Sequence, residues 1–222
     1  MQPLPAVVAR ATMPPAAGPL EPPLGIADTE LEPVAVDLSM RHFFVVGPYR
    51  SGRSTTLRTI AEGLRAADPR RELHLLAPRR SALPELPIWT SAAQGLDACV
   101  TAVAELLARV EAGATGIVLV VDDGEELTDT PAGPAIETIV RRGRDVDVRV
   151  VAAAERQGAR AFSGWPRELR KEEHGLLLDP ELDVDGDLFG VRLPRSTSGT
   201  FPPGRGFYVS RGEIELVQVA TD

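Results

Sequence analysis

Residues Gly47 to Thr55 read Gly-Pro-Tyr-Arg-Ser-Gly-Arg-Ser-Thr. Glycine, four residues, glycine, a basic residue and a hydroxyl is the spacing of a loop that cradles phosphates. In such a loop the backbone N–H groups of a glycine-rich turn and a helix N-terminus point at a polyphosphate. Gly47, Arg50, Ser51, Gly52, Arg53, Ser54 and Thr55 are the candidate binding residues, with the Ser54 hydroxyl offered to Mg²⁺. Arg53 stands where the pattern expects lysine. A planar guanidinium is not equivalent to a point-charge ammonium, so binding is better supported than efficient phosphoryl transfer. The plainer alternative is a glycine-bearing turn with no ligand. Arg50 is either a ligand contact or a solvated loop charge, and Thr55 and Thr56 are equally well first-turn helix residues.

A second chemical feature lies about 70 residues on, where the apolar run Ile117 to Val121 ends in Asp122-Asp123. A buried strand ending in carboxylates is the metal half of a nucleotide site: the first acid orients Mg²⁺, making Asp122 and Ser54 the candidate metal pair, and the second polarises attacking water. Asp123 is the candidate for that catalytic role, one methylene shorter than the usual glutamate. Two acids opening an exposed turn is the competing reading. The combination with the upstream loop favours the site.

The pattern predicts elements that would position these residues. Phe43-Phe44-Val45-Val46 reads as a buried strand and Ser54 to Ala67 as a helix stopped by Asp68-Pro69. Glu72 to Ala77, Ile117 to Val121, Val148 to Ala153 and Gly175 to Leu178 read as further strands. Helices are predicted near Gly95 to Ala112 and Ala135 to Arg142. In the first of these Leu96, Val100, Val103, Leu107 and Val110 form one core-facing stripe. Non-alternating apolar strands between helices indicate a three-layer α/β domain with a mainly parallel sheet. Residues 1–36 carry eight of the chain's twenty prolines and read as an extended arm whose later part adds edge strands to the body, 37–222. Gly206 to Ala220 reads as a C-terminal β-hairpin turning at Arg211-Gly212.

Composition narrows the function. At 222 residues and net charge −8, the chain lacks the basic footprint of a protein that grips nucleic acid alone. One cysteine, Cys99, excludes an internal disulfide and reads as a small buried hydrophobe. His42, His74 and His174 read as structural, and no pair stands at metal-ligand spacing. Trp89 and Trp165 read as packing residues, with a protein-binding groove as the alternative for Trp165. Arg141, Arg142 and Arg144 read as a solvated face, or as an arginine offered to a neighbouring subunit's nucleotide. No run spans a bilayer and the opening residues lack a signal peptide's pattern, so a cytoplasmic protein is expected.

Leu24-Gly-Ile, Pro33 to Leu38 and His42 to Arg58 together resemble the nucleotide-binding core of FtsK/SpoIIIE-type translocases. Val118 to Leu127 resembles that family's Walker B strand, and Val150 to Arg156 falls at its sensor strand. The ending, from Gly186-Asp-Leu-Phe-Gly190 through Pro203 to Gly212 and Ala220, resembles the C-terminal module of EccC-type motors of type VII secretion. The resemblance implies a RecA-like P-loop NTPase fold, with ATP and Mg as cofactors, Gly47, Gly52, Arg53, Ser54 and Thr55 on phosphates and metal, and Asp122 at the metal. Departures accompany it: Arg53 for lysine, Asp123 for glutamate, and Ala154-Glu155 where active members carry Thr-Gln. They imply a module that holds nucleotide with little or no hydrolysis. The resemblance also implies partners: the C-terminal export signal of small helical-hairpin substrates, and other ATPase modules of a membrane-attached complex. The alternative is an active FtsK-like ATPase translocating DNA or protein; a third reading is an interaction domain that binds no nucleotide.

Overall fold

Strand residues whose side chains alternate between two covered faces must be apolar on both, and the chain's central runs are built that way. The computed structural model describes residues 3–194 and 201–222. The first two residues of the expected arm, and part of the stretch between Gly190 and Pro203 that carries the resemblance, lie outside them. Strands β1 (Val8–Ala9), β2 (Pro23–Ala27) and β3 (Pro33–Ala35) come first, then β4 (Phe43–Val46), α1 (Arg53–Ala67), β5 (Glu72–Ala77), β6 (Ser91–Gln94) and α2 (Leu96–Glu111). They are followed by β7 (Ile117–Val121), α3 (Ala132–Gly143), β8 (Val148–Ala154), α4 (Arg156–Ala159), α5 (Trp165–Arg170), β9 (His174–Leu178), β10 (Arg205–Ser210) and β11 (Glu213–Thr221).

One sheet joins them in the order β3-β2-β11-β10-β9-β4-β8-β7-β5-β6, with β1 pairing β11 at the side. The run from β9 to β6 is parallel, while β10, β11, β2 and β3 are antiparallel to their neighbours on the path. Phe44, Val46, Leu119 and Val121 face a layer built by α2, α3 and α5. Their neighbours Phe43, Val45, Val118 and Val120 face α1 and the arm. The three-layer α/β architecture with a mainly parallel sheet is therefore as the sequence implies. The arm is part of it: Leu24 and Val36 are fully buried, and β2 pairs with β11.

Two expectations change. In α2 the buried row is Cys99, Val103, Leu106 and Val110, whereas Leu96 is 43% exposed. Val100 and Leu107 pack only at the margin of the core. Two adjacent helical rows are both apolar, and contact with α3 selects the one turned by a residue. Ser91–Gln94, for which the pattern predicts no element, adds an edge strand to β5. The hairpin turn is as expected, with φ of 55° at Arg211 and 79° at Gly212, the left-handed pair that suits a two-residue β-turn.

Candidate functional site

In the sheet order β8 separates β4 from β7. The loop after β4 and the acids after β7 therefore meet across the end of β8, at the carboxyl ends of the parallel strands. Gly47 leaves the sheet with its N–H on the Ala154 carbonyl at 3.3 Å. A Cβ on Gly47 would come within 2.5 Å of Ser51 Oγ and 2.8 Å of Leu178 Cβ, so the loop folds back only around glycine. Gly52 has φ of 106°, and a Cβ there would stand 2.7 Å from the Gly204 nitrogen. That nitrogen donates to the Ser51 carbonyl at 2.7 Å, tying the loop to the segment before β10.

The N–H of Thr56 is bonded back to the Gly52 carbonyl at 2.9 Å. The preceding N–H groups of Arg53, Ser54 and Thr55 are those that a helix start leaves without an intrahelical acceptor, and the first turn carries no acid. They border a cleft of about 480 Å³ whose wall also includes Arg50, Arg80, Ser81, Asp122, Asp123 and Pro203. Gly47 and Ser51 lie behind that wall; Ser51 is 5% exposed and its Oγ has no hydrogen-bond partner among the described residues.

Asp122 is 2% exposed. Ser54 Oγ lies 3.0 Å from each of its carboxylate oxygens, and Ser81 Oγ donates at 3.2 Å. Burial, and then the neighbouring Asp123, push the Asp122 carboxyl above its usual range, against the hydrogen bonds from Ser54 and Ser81. Two hydroxyls and a carboxylate at a helix start form an all-oxygen donor set, which suits Mg²⁺.

Arg53, only 6% exposed, turns toward acids. Its Nη2 donates to Asp123 at 2.8 Å, while Glu125 lies 3.5 Å from Nη1 and Glu155 3.8 Å from Nη2. Asp123 sits in left-handed backbone, φ 44°, which swings its carboxylate out of line with the strand. Glu125 accepts from the Glu155 N–H at 3.1 Å, and burial raises its carboxyl. The candidate water-polarising acid is thus engaged by the arginine in the lysine position.

The sequence-predicted residues Arg50, Gly52, Arg53, Ser54, Thr55, Asp122 and Asp123 come together on one cleft. Arg80, Ser81, Glu125 and Gly204 were not predicted. Ser81 and Arg80 follow β5, whose carboxyl end belongs to the crevice of a parallel sheet, and that rule is the signal that points to them. Glu125 resembles any acid in a solvated turn. The histidines do not join the site: His42 Nε2 lies 2.8 Å from the Val140 carbonyl oxygen, and His174 Nδ1 lies 2.8 Å from that of His42. Trp165 is fully buried and lines no groove.

The sheet order, the loop and the serine–aspartate pair define a RecA-like P-loop nucleotide-binding fold. Among such domains the chain is similar to the second and third ATPases of Thermomonospora curvata EccC, solved in complex with a signal sequence peptide. The TM-score is 0.82 at 25% identity, over 99% of this chain and 44% of that one. It is also similar to the cytoplasmic domain of that organism's type VII secretion ATPase EccC, with TM-score 0.80 and 26% identity over 99% and 28% of the two chains. ATPases 2 and 3 of EssC from Geobacillus thermodenitrificans share the fold, with TM-score 0.77 at 18% identity over 99% and 45%. The chain spans less than half the length of these EccC and EssC structures. No family model matches the sequence, and no curated protein does.

Proposed function

We propose that the chain is a nucleotide-holding module of an EccC-type secretion motor, working at the cytoplasmic side of a membrane-attached complex. The observation that carries this is the pairing of an intact cradle with an occupied catalytic carboxylate: Ser54 meets Asp122, while Asp123 is bound to Arg53. In this reading the N–H groups of the α1 first turn take the phosphates, and Ser54 and Asp122 hold Mg²⁺ directly or through its water shell. Bound Mg²⁺ would neutralise phosphate charge and fix its orientation. With its Oδ1 held by the Arg53 guanidinium, the Asp123 carboxylate is a weaker proton acceptor for water, so turnover is slow and ATP acts as a structural ligand. Docking of a substrate's C-terminal export signal and of neighbouring modules is supported by the peptide-bound EccC relative.

The test is a titration with Mg-ATP followed by melting temperature and by phosphate release. Saturating ATP should raise stability by about 3–4 kcal/mol at 100 to 1,000 times Kd. Turnover approaching ~1 per second, within the ordinary range of enzymes, would overturn the slow-hydrolysis reading. The absence of any shift would support a nucleotide-free interaction domain.

A further inference from the structure

Arg53 has the position of a phosphate-binding lysine but not its freedom. It is 6% exposed and surrounded by Asp123, Glu125 and Glu155. If its guanidinium left for a phosphate, Asp123 and the largely buried Glu125 would lose their cation, and an uncompensated buried charge is strongly unfavourable. The first turn of α1 offers dipoles, which alone are a weak match for a polyphosphate's charge.

Two other arginines line the same cleft. Arg50 and Arg80 are exposed, and neither has a carboxylate within ion-pair distance among the described residues. Arg79, next in sequence, is by contrast paired with Glu126. Arg50 lies at the crest of the loop in left-handed backbone, φ 64°, a conformation that favours glycine, and its guanidinium carbon stands 5.3 Å from the Tyr49 ring centroid. Arg80 precedes Ser81, whose hydroxyl reaches Asp122, so it stands at the metal end of the cleft.

Building on the nucleotide-holding reading, we propose that Arg80 and Arg50 form the phosphate clamp of this cleft, with Arg80 on the terminal phosphate, while Arg53 remains with its carboxylates. The ligand class is a nucleoside triphosphate in preference to a diphosphate, because the triphosphate carries the further phosphate charge that a second arginine on the cleft would meet. A guanidinium fork suits phosphate oxygens through paired charge-assisted hydrogen bonds.

Calorimetric titration of the 222-residue chain with Mg-ATP and Mg-ADP tests this, using wild type, Arg80→Ala, Arg50→Ala and Glu155→Gln. Arg80 and Arg50 are exposed and Glu155 is partly so, so these variants should fold. Arg80→Ala should weaken ATP binding about tenfold or more while leaving ADP nearly unchanged, the scale of one lost charged hydrogen bond. Arg50→Ala should weaken both nucleotides. Glu155→Gln should leave both affinities within about twofold, since Arg53 is not awaiting release. The clamp is refuted if wild type binds ATP and both arginine variants match it, or if Glu155→Gln tightens ATP binding about tenfold. A wild type that binds neither nucleotide refutes the holding function itself.

Discussion

Desolvation takes the imidazoles of His42 and His174 down to about 4, against the hydrogen bonds each makes to a backbone carbonyl. Arg149 and Arg144 push the first further down; Arg41 and Arg211 do the same to the second, with Asp37 opposing. Both rings are therefore neutral in the fold and take up protons on unfolding below about pH 6.5. Stability is full above that pH and falls as pH drops toward 4, by up to about 1.4 kcal/mol per pH unit for each ring. Asp122 and Glu125, whose carboxyls are raised, act with the opposite sign. Denaturant unfolding of wild type and His174→Asn at pH 7 and pH 5 isolates the effect. The loss of stability between the two pH values should be smaller in the variant, and an equal loss would refute the assignment. The scatter of the histidines, with no pair at metal-ligand spacing, indicated these structural roles, whereas the arginine's ion pairs were invisible. Asp123, Glu125 and Glu155 converge on Arg53 only because β8 lies between β4 and β7.

Among the elements, α5 links packing to the site. Trp165 is fully buried, stands edge-on to Phe44 with ring centroids 5.7 Å apart, and leaves Gly124 no room: a Cβ there would lie 2.7 Å from Trp165 Cη2. Gly124 follows the two site aspartates, so the indole supports the turn that aims Asp123 at Arg53. Trp165→Ala should cost about 3–5 kcal/mol in unfolding measurements. In conditions where it remains folded, the turn from Asp123 to Glu126 should show faster amide exchange than in wild type. Protection equal to wild type would show that the tryptophan is only core. The strands flanking the loop were legible because all-apolar runs of four to seven residues between helical periods have few other interpretations. The short β6, with small and polar residues Ser-Ala-Ala-Gln, carries no such pattern, and its place is set by pairing to β5. The α2 row was ambiguous for a related reason: more than one face is apolar, and its neighbours make the choice.

At the scale of the whole molecule, the arm is a structural wall. Leu24, Val36 and Leu38 are fully buried against α1, Pro22 and Pro23 press on Gly63, and Arg10 pairs with Glu62 and Asp222. Leu24→Ala should therefore cost about 2–5 kcal/mol, as in any core helix or strand. A cost below about 0.5 kcal/mol would mean that the arm is a loose tether. This integration was only half legible: proline density excluded helix, while the pairing of β2 with β11 joins segments some 190 residues apart and leaves no local trace. The bond from Gly204 to the Ser51 carbonyl has the same long reach. A chain emerging from the ribosome displays the glycine loop and both aspartates well before Gly204 is synthesised. Gln218, which donates to the Pro203 carbonyl, comes later still. The cradle is thus among the last parts of the domain to be finished, since its geometry waits on residues of the closing hairpin.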